Sequence, residues 1–161
     1  MNKYKKRYQK IVKKLVEKSF PELKNVKIRI CESDHNKFKS ASADAYYYVL
    51  FWKIRLGKRV RKFPKKYIIA ILAHELCHIS IFQKRNFIKK IIFFYFILFL
   101  RKYREAEERN TELLEIQKGY GKELYSFRKY ALLIADKKAR ERIKKYYLSP
   151  KQIKQEMKKL K

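Results

Sequence analysis

The run His74-Glu75-Leu76-Cys77-His78 is an HExxH pattern, and it takes up two of the three histidines in the chain. On a helix, residues i and i+4 lie one above the other, so both imidazoles can reach a single metal ion. Glu75 is turned about 100° away from His74, where a carboxylate serves as general base toward a metal-bound water instead of acting as a ligand. Zinc brings the pKa of such a water toward neutrality, and the carboxylate takes its proton as it attacks a carbonyl. The pattern therefore predicts two zinc ligands, His74 and His78, and a catalytic Glu75. The bland alternative is a hydrogen-bonded histidine pair with no metal. Against it stands the segment Tyr67 to Ala73, almost wholly apolar, which sets the motif at a core, where ionisable groups need partners.

A catalytic zinc takes a third protein ligand and keeps one open position. The third histidine, His35, lies upstream of the motif, so a carboxylate is the better candidate and His₂Glu the expected set. Glu105, Glu107, Glu108 and Glu112 cluster between residues 102 and 118 of a chain otherwise poor in acid. Glu105, Glu108, Glu112 and Glu115 follow helical spacing and are expected to line one face. Such a stripe is also what a solvated, ion-paired surface looks like, but a divalent cation would relieve its repulsion directly.

The HELCH run followed by Glu108-Arg109-Asn110-Thr111-Glu112 resembles the gluzincin metallopeptidases, in which a second "glutamate helix" carries an ExxxD-type motif. It is most similar to the small archaeal minigluzincins, over residues 25–125. The resemblance implies a zinc-dependent peptidase acting on a peptide or protein substrate, with one Zn²⁺ per chain. It implies Glu108 as third ligand and Glu112 in place of the Asp that hydrogen-bonds and orients a ligating histidine. Glu112 is one methylene longer than that Asp, which leaves Glu105 and Glu107 as alternative third ligands. It further implies that a strand near the cleft, Ala45 to Val49, binds substrate as an added β-strand. Small members of the family are held latent by steric blocking, a role open to the polar C-terminal helix.

The elements that must position these residues can be read around them. Tyr4 to Phe20 has helical apolar spacing and ends at Pro21. Val26 to Ile30 alternates as a half-buried strand, residues 32–40 are polar and turn-like, Ala45 to Trp52 is a continuous buried strand, and Lys53 to Val60 alternates again with a bend at Gly57. Pro64 opens the motif helix, which runs to Phe82. A second apolar helix is expected over 87–100, then a charged helix over Lys102 to Lys118 stopped by Gly119-Tyr120-Gly121. Lys122 to Tyr147 is helical, and Ser149-Pro150 opens a short polar helix within 149–161. The expected fold is a single α+β, zincin-like domain over 1–161. It comprises an N-terminal helix, a small, roughly three-stranded sheet, the HExxH helix, the glutamate helix and C-terminal helices. Cys77 reads as a small apolar filler.

The chain has 161 residues, with 44 Lys+Arg against 15 Asp+Glu, a net charge of +29. With 47% hydrophobic and 16% aromatic residues it is no disordered chain, and two cysteines make no disulfide framework, which favours a reducing, cytoplasmic location. Charge of this size implies non-specific attraction to nucleic acid. The lysines are spread along the whole chain, however, in company with Ile, Tyr, Phe and Asn, as in A/T-rich coding. The apolar run Ile91 to Leu100 is about 15 Å long as a helix, half a bilayer. Flanked by Lys89, Lys90, Arg101 and Lys102, the 87–100 insert suits contact with an anionic membrane, peripheral rather than spanning; a core helix or an oligomer interface would bury it equally well. The rival to a peptidase is a basic nucleic-acid- or membrane-associated protein. Such a protein would use the metal site structurally, or on bound protein partners as in the SprT-like family.

Overall fold

The computed structural model describes residues 3–33, 43–48, 50–85 and 101–160. The order of elements is a helix α1 (Lys3–Ser19), strands β1 (Ile28–Ser33), β2 (Ala43–Tyr48) and β3 (Phe51–Gly57), and then helices. The helices are α2 (Lys65–Gln83), α3 (Arg101–Glu115), α4 (Gly121–Ile134), α5 (Lys137–Tyr146) and α6 (Pro150–Lys159). The protein is thus α+β, with a small mixed sheet and a helical C-terminal half. Among the described residues no helix is long and apolar enough to cross a membrane. Of the polar turn expected over 32–40, Glu32 and Ser33 belong instead to β1, while residues 34–40, with His35, and the insert at 87–100 lie outside the described residues.

The sheet order is β1-β3-β2, with β3 parallel to β1 and antiparallel to β2. Strand periodicity gives it two faces. Ile30, Ile54 and Ala45 share one register line, and Ile28, Trp52 and Tyr47 the next; Ile30, Trp52, Ile54 and Leu56 on this face are buried. The opposite face carries Arg29, Cys31, Phe51, Lys53, Arg55, Asp44, Tyr46 and Tyr48 in the same registers. Tyr8, Val12 and Leu15 bury the inner side of α1.

Several boundaries differ from those expected; the strand expected over Lys53–Val60 ends at Gly57, and Lys58–Lys62 forms a 3-10 turn. The strand expected over Val26–Ile30 starts two residues later. Ala45 to Trp52 is not one buried strand but parts of two antiparallel ones, β2 and β3, with Leu50 in a turn before β3, and Tyr46, Tyr47 and Tyr48 are 40–45% exposed. Both sides of β2 carry rings, so its pattern does not say where it must reverse. The helix expected over Lys122–Tyr147 breaks at Asp136, whose carboxylate accepts the Ala139 N–H and caps α5. The glutamate helix leaves α geometry after Glu115 and passes through a π turn, Ile116–Tyr120, in which Gly119 takes φ +92°. A residue without a Cβ is what that turn requires.

Helix α2 is the core of the molecule. Ile68, Leu72, Leu76 and Ile79 are fully buried, along with Ala73 and Cys77, and it packs on the sheet, α1, α3 and α4. This is why the residues ahead of the motif are apolar all round. The final helix α6, polar by composition, is anchored by Ile153 in a second small cluster with Ile116, Leu124 and Leu148.

Candidate metal centre

Two helices build the site. His74 and His78 stand one turn apart on α2, and α3 lies beside them with Glu108, Thr111 and Glu115 turned toward α2. His74 Nε2 and His78 Nε2 are 3.2 Å apart; Glu108 Oε2 is 3.3 Å from the first and 3.4 Å from the second. A tetrahedral zinc with bonds of about 2.0–2.1 Å has ligand–ligand edges of about 3.3–3.4 Å, so these three atoms already form one face of such a polyhedron. Among the described residues they are the one group of His, Cys, Asp or Glu side chains with metal-binding geometry. All three side chains keep 13–23% of their surface open to solvent, so the fourth position is reachable.

The other ring nitrogens are tied back. Thr111 Oγ1 donates to the Glu107 carbonyl at 2.8 Å and therefore accepts from His78 Nδ1–H at 3.2 Å. His74 Nδ1 is 3.3 Å from Glu115 Oε2. With Nδ1 carrying the proton in both rings, each Nε2 lone pair points to the shared centre, the arrangement that ligating histidines need. The residues present fit a zinc ion.

The electrostatics agree. Burial works against charge on His74, yet the Glu108 and Glu115 carboxylates outweigh it and hold its pKa well above the ordinary value. Burial likewise opposes ionisation of Glu108, but the two imidazoles prevail and hold it well below the carboxylate range. Glu115 is pushed up to about 7 by burial, against the lowering effect of His74. The centre is a place where positive charge is stabilised, as a proton or as a cation. Glu75 is buried, and that burial raises its pKa against the pull of the two histidines, which is what a general base needs.

The acidic stripe does not act as one face. Glu108 and Glu115 reach the histidines, whereas the alternative ligands do not: Glu105 pairs with Arg109 at 3.4 Å and Glu107 with Arg85 at 2.7 Å. Glu112, expected to orient a histidine, turns the other way. Its fully buried carboxylate pairs with Arg128 on α4 and accepts the Leu148 N–H at 2.6 Å. Glu115 holds His74 in its place. Position 112 is rotated about 40° from 108, to the side away from Thr111 and Glu115, and its longer side chain finds a guanidinium there.

Sequence reasoning also passed over Thr111, Arg128 and Tyr147. The Tyr147 ring meets His74 edge to face, centroids 6.1 Å apart, and the Arg128 guanidinium lies over the Tyr147 ring at 4.5 Å. Burial, and then the Glu108 charge, push its phenol pKa up. Thr111 was within reach of the spacing rule, three residues after Glu108; Arg128 and Tyr147 arrive through tertiary packing alone. Compared with family models, curated proteins and solved structures, the chain matches none.

Proposed function

We propose that this chain is a zinc-dependent metallopeptidase in which His74, His78 and Glu108 hold one zinc ion and Glu75 is the general base and acid. The observation that carries the reading is the triangle of two Nε2 atoms and one carboxylate oxygen with edges of 3.2, 3.3 and 3.4 Å. Bound there, zinc supplies Lewis acidity toward water and a carbonyl oxygen. Glu75 accepts a proton from the attacking water on a carboxylate oxygen. It then delivers that proton to the amide nitrogen that leaves as the C–N bond breaks. Its buried position keeps the proton affinity high enough for both transfers. Thr111 and Glu115 hold the imidazoles in orientation and tautomer.

A peptide substrate needs an extended path past these groups. Strand β2 is at the sheet edge, packs against α2, and its Asp44 is close enough to act on Glu75. A peptide laid along its open side would form a fourth strand. The Tyr147 ring packs edge to face with His74, 6.1 Å between centroids. It either closes around a bound substrate or has to move before one enters; in the second case the chain is latent as folded, and the tail ahead of α6, not α6 itself, is the obstruction.

The test is zinc content per chain with hydrolysis of an unfolded protein substrate. The expected result is one zinc in wild type, lost in His78→Ala and Glu108→Ala, and Glu75→Gln that keeps zinc and loses cleavage. Absence of zinc after reconstitution overturns the metal site; cleavage that survives Glu75→Gln overturns the mechanism. Zinc binding with no cleavage by wild type or by Tyr147→Ala would assign the site a structural role in a basic binding protein.

A further inference from the structure

We infer that the β2–β3 hairpin is a docking surface for an anionic membrane, seated at the bilayer interface by its apolar tip and held by a collar of cations. This inference is independent of the metal site. Leu50, in the turn, is 83% exposed, and Tyr47 and Tyr48 beside it are 44% and 45% exposed. Singly exposed apolar residues are ordinary, but Tyr47, Tyr48 and Leu50 exposed within four positions of one hairpin, with the half-buried Phe51 next to them, are not.

Cations ring the tip. Arg29 of β1 stacks on Phe51 at 4.1 Å, and Lys53 lies over Tyr48 at 5.8 Å. Lys27, exposed, sits level with Trp52, whose N–H its carbonyl accepts at 2.8 Å. The whole chain adds a field of +29. An aliphatic tip, tyrosine hydroxyls at headgroup depth and long cationic side chains reaching back to phosphate are the parts of an interfacial anchor. Single-stranded nucleic acid fits less well, since a base needs an open ring face. Here those faces are engaged: Tyr48 stacks on Phe51 at 5.0 Å and 9°, Arg29 covers Phe51, and Arg55 covers Tyr46 at 3.9 Å.

The hairpin is also firmly backed. Tyr47, Trp52 and Phe82 form a three-ring cluster with centroids 5.1–5.2 Å apart, so the tip rests on the C-terminal end of α2.

Trp52 is the single tryptophan of the chain and lies directly under the tip, which supplies the probe. The full chain is mixed with phosphatidylcholine vesicles with and without phosphatidylserine. Binding is read by sedimentation, and contact by quenching of Trp52 with acyl-brominated lipid. The expected result is binding to the anionic vesicles with quenching of Trp52. Leu50→Ser should weaken binding about five- to tenfold, while Lys138→Gln, which removes one exposed charge on α5, leaves it nearly unchanged. Binding without Trp52 quenching, or an undiminished Leu50→Ser, overturns the proposal in favour of adsorption by diffuse charge. No binding overturns it outright. Binding of oligothymidylate that depends on Leu50, without vesicle binding, would assign the surface to nucleic acid instead.

Discussion

Removing the carboxylate of Glu112 should damage the molecule more than removing any other acidic group outside the metal triangle. The side chain is fully buried, its partner Arg128 is 5% exposed, and the second oxygen accepts the Leu148 N–H at 2.6 Å. In Glu112→Gln the shape is kept, but a guanidinium that cannot give up its proton is left without a counter-charge. Breaking one side of a buried pair costs about 3–5 kcal/mol, and a domain of this size loses about 2–4 °C per kcal/mol. The expected drop in Tm is therefore about 6–20 °C. Arg128→Met strands the buried carboxyl in the same way and should cost a similar amount. The double change Glu112→Met/Arg128→Met should be far milder than the sum of the single changes, since no charge is left buried. Thermal and urea unfolding followed by far-UV circular dichroism give Tm and unfolding free energy for all four chains. A Glu112→Gln chain within about 1 kcal/mol of wild type, the size of an exposed pair, would refute the account of a desolvated clasp.

Thr111→Val removes the acceptor that fixes the His78 tautomer and should weaken zinc binding about 10- to 100-fold in a chelator competition. Glu115→Gln, which can still accept from His74 Nδ1, should weaken it less than Glu115→Ala. Burial raises the Glu75 pKa, so that group favours the fold below the ordinary carboxylate value of 4.5 and loses this contribution as pH rises through its folded value. Metal-free Glu75→Gln should therefore be more stable than wild type at neutral pH, with the gap closing on acidification, as measured by urea midpoints across pH. The two glycines around the π turn should fail for different reasons. Gly119→Ala meets open space but the wrong φ and should cost about 1–2 kcal/mol. Gly121→Ala has an ordinary φ but a Cβ 2.6 Å from Met157 Cγ, so Met157→Ala should rescue Gly121→Ala and not Gly119→Ala.

What could be read in advance follows from the range of the forces involved. HExxH on an apolar helix is a local signal, and α2 lies where that signal places it. Glu108 was within reach because helical spacing and a likeness to glutamate helices both point to it. Glu112 was misassigned because its partner, Arg128, lies sixteen residues on and across a π turn, where spacing rules carry no information. The β2–β3 reversal is not marked in the sequence, because no Gly, Pro, Asn or Asp stands between Tyr48 and Phe51. The break before α5 was legible in principle, since Asp136 is an ordinary N-cap residue. Tyr147 was not: a tyrosine between two helices acquires its place against His74 and Arg128 only when α2, α4 and the α5–α6 connection have packed together.

Cys77, between the two histidines in sequence, is fully buried in the main core, and burial raises its thiol pKa far from the reactive range. Cys31, on the outer sheet face, is half-buried. The chain thus carries two thiols of unequal accessibility, and an alkylating reagent meets Cys77 only when α2 lifts from its bed. The ratio of the two labelling rates is a clock for the opening of the very helix that bears the histidines. Cys31 corrects for reagent and pH, and any ion that locks α2 to α3 would slow one hand of that clock without touching the other.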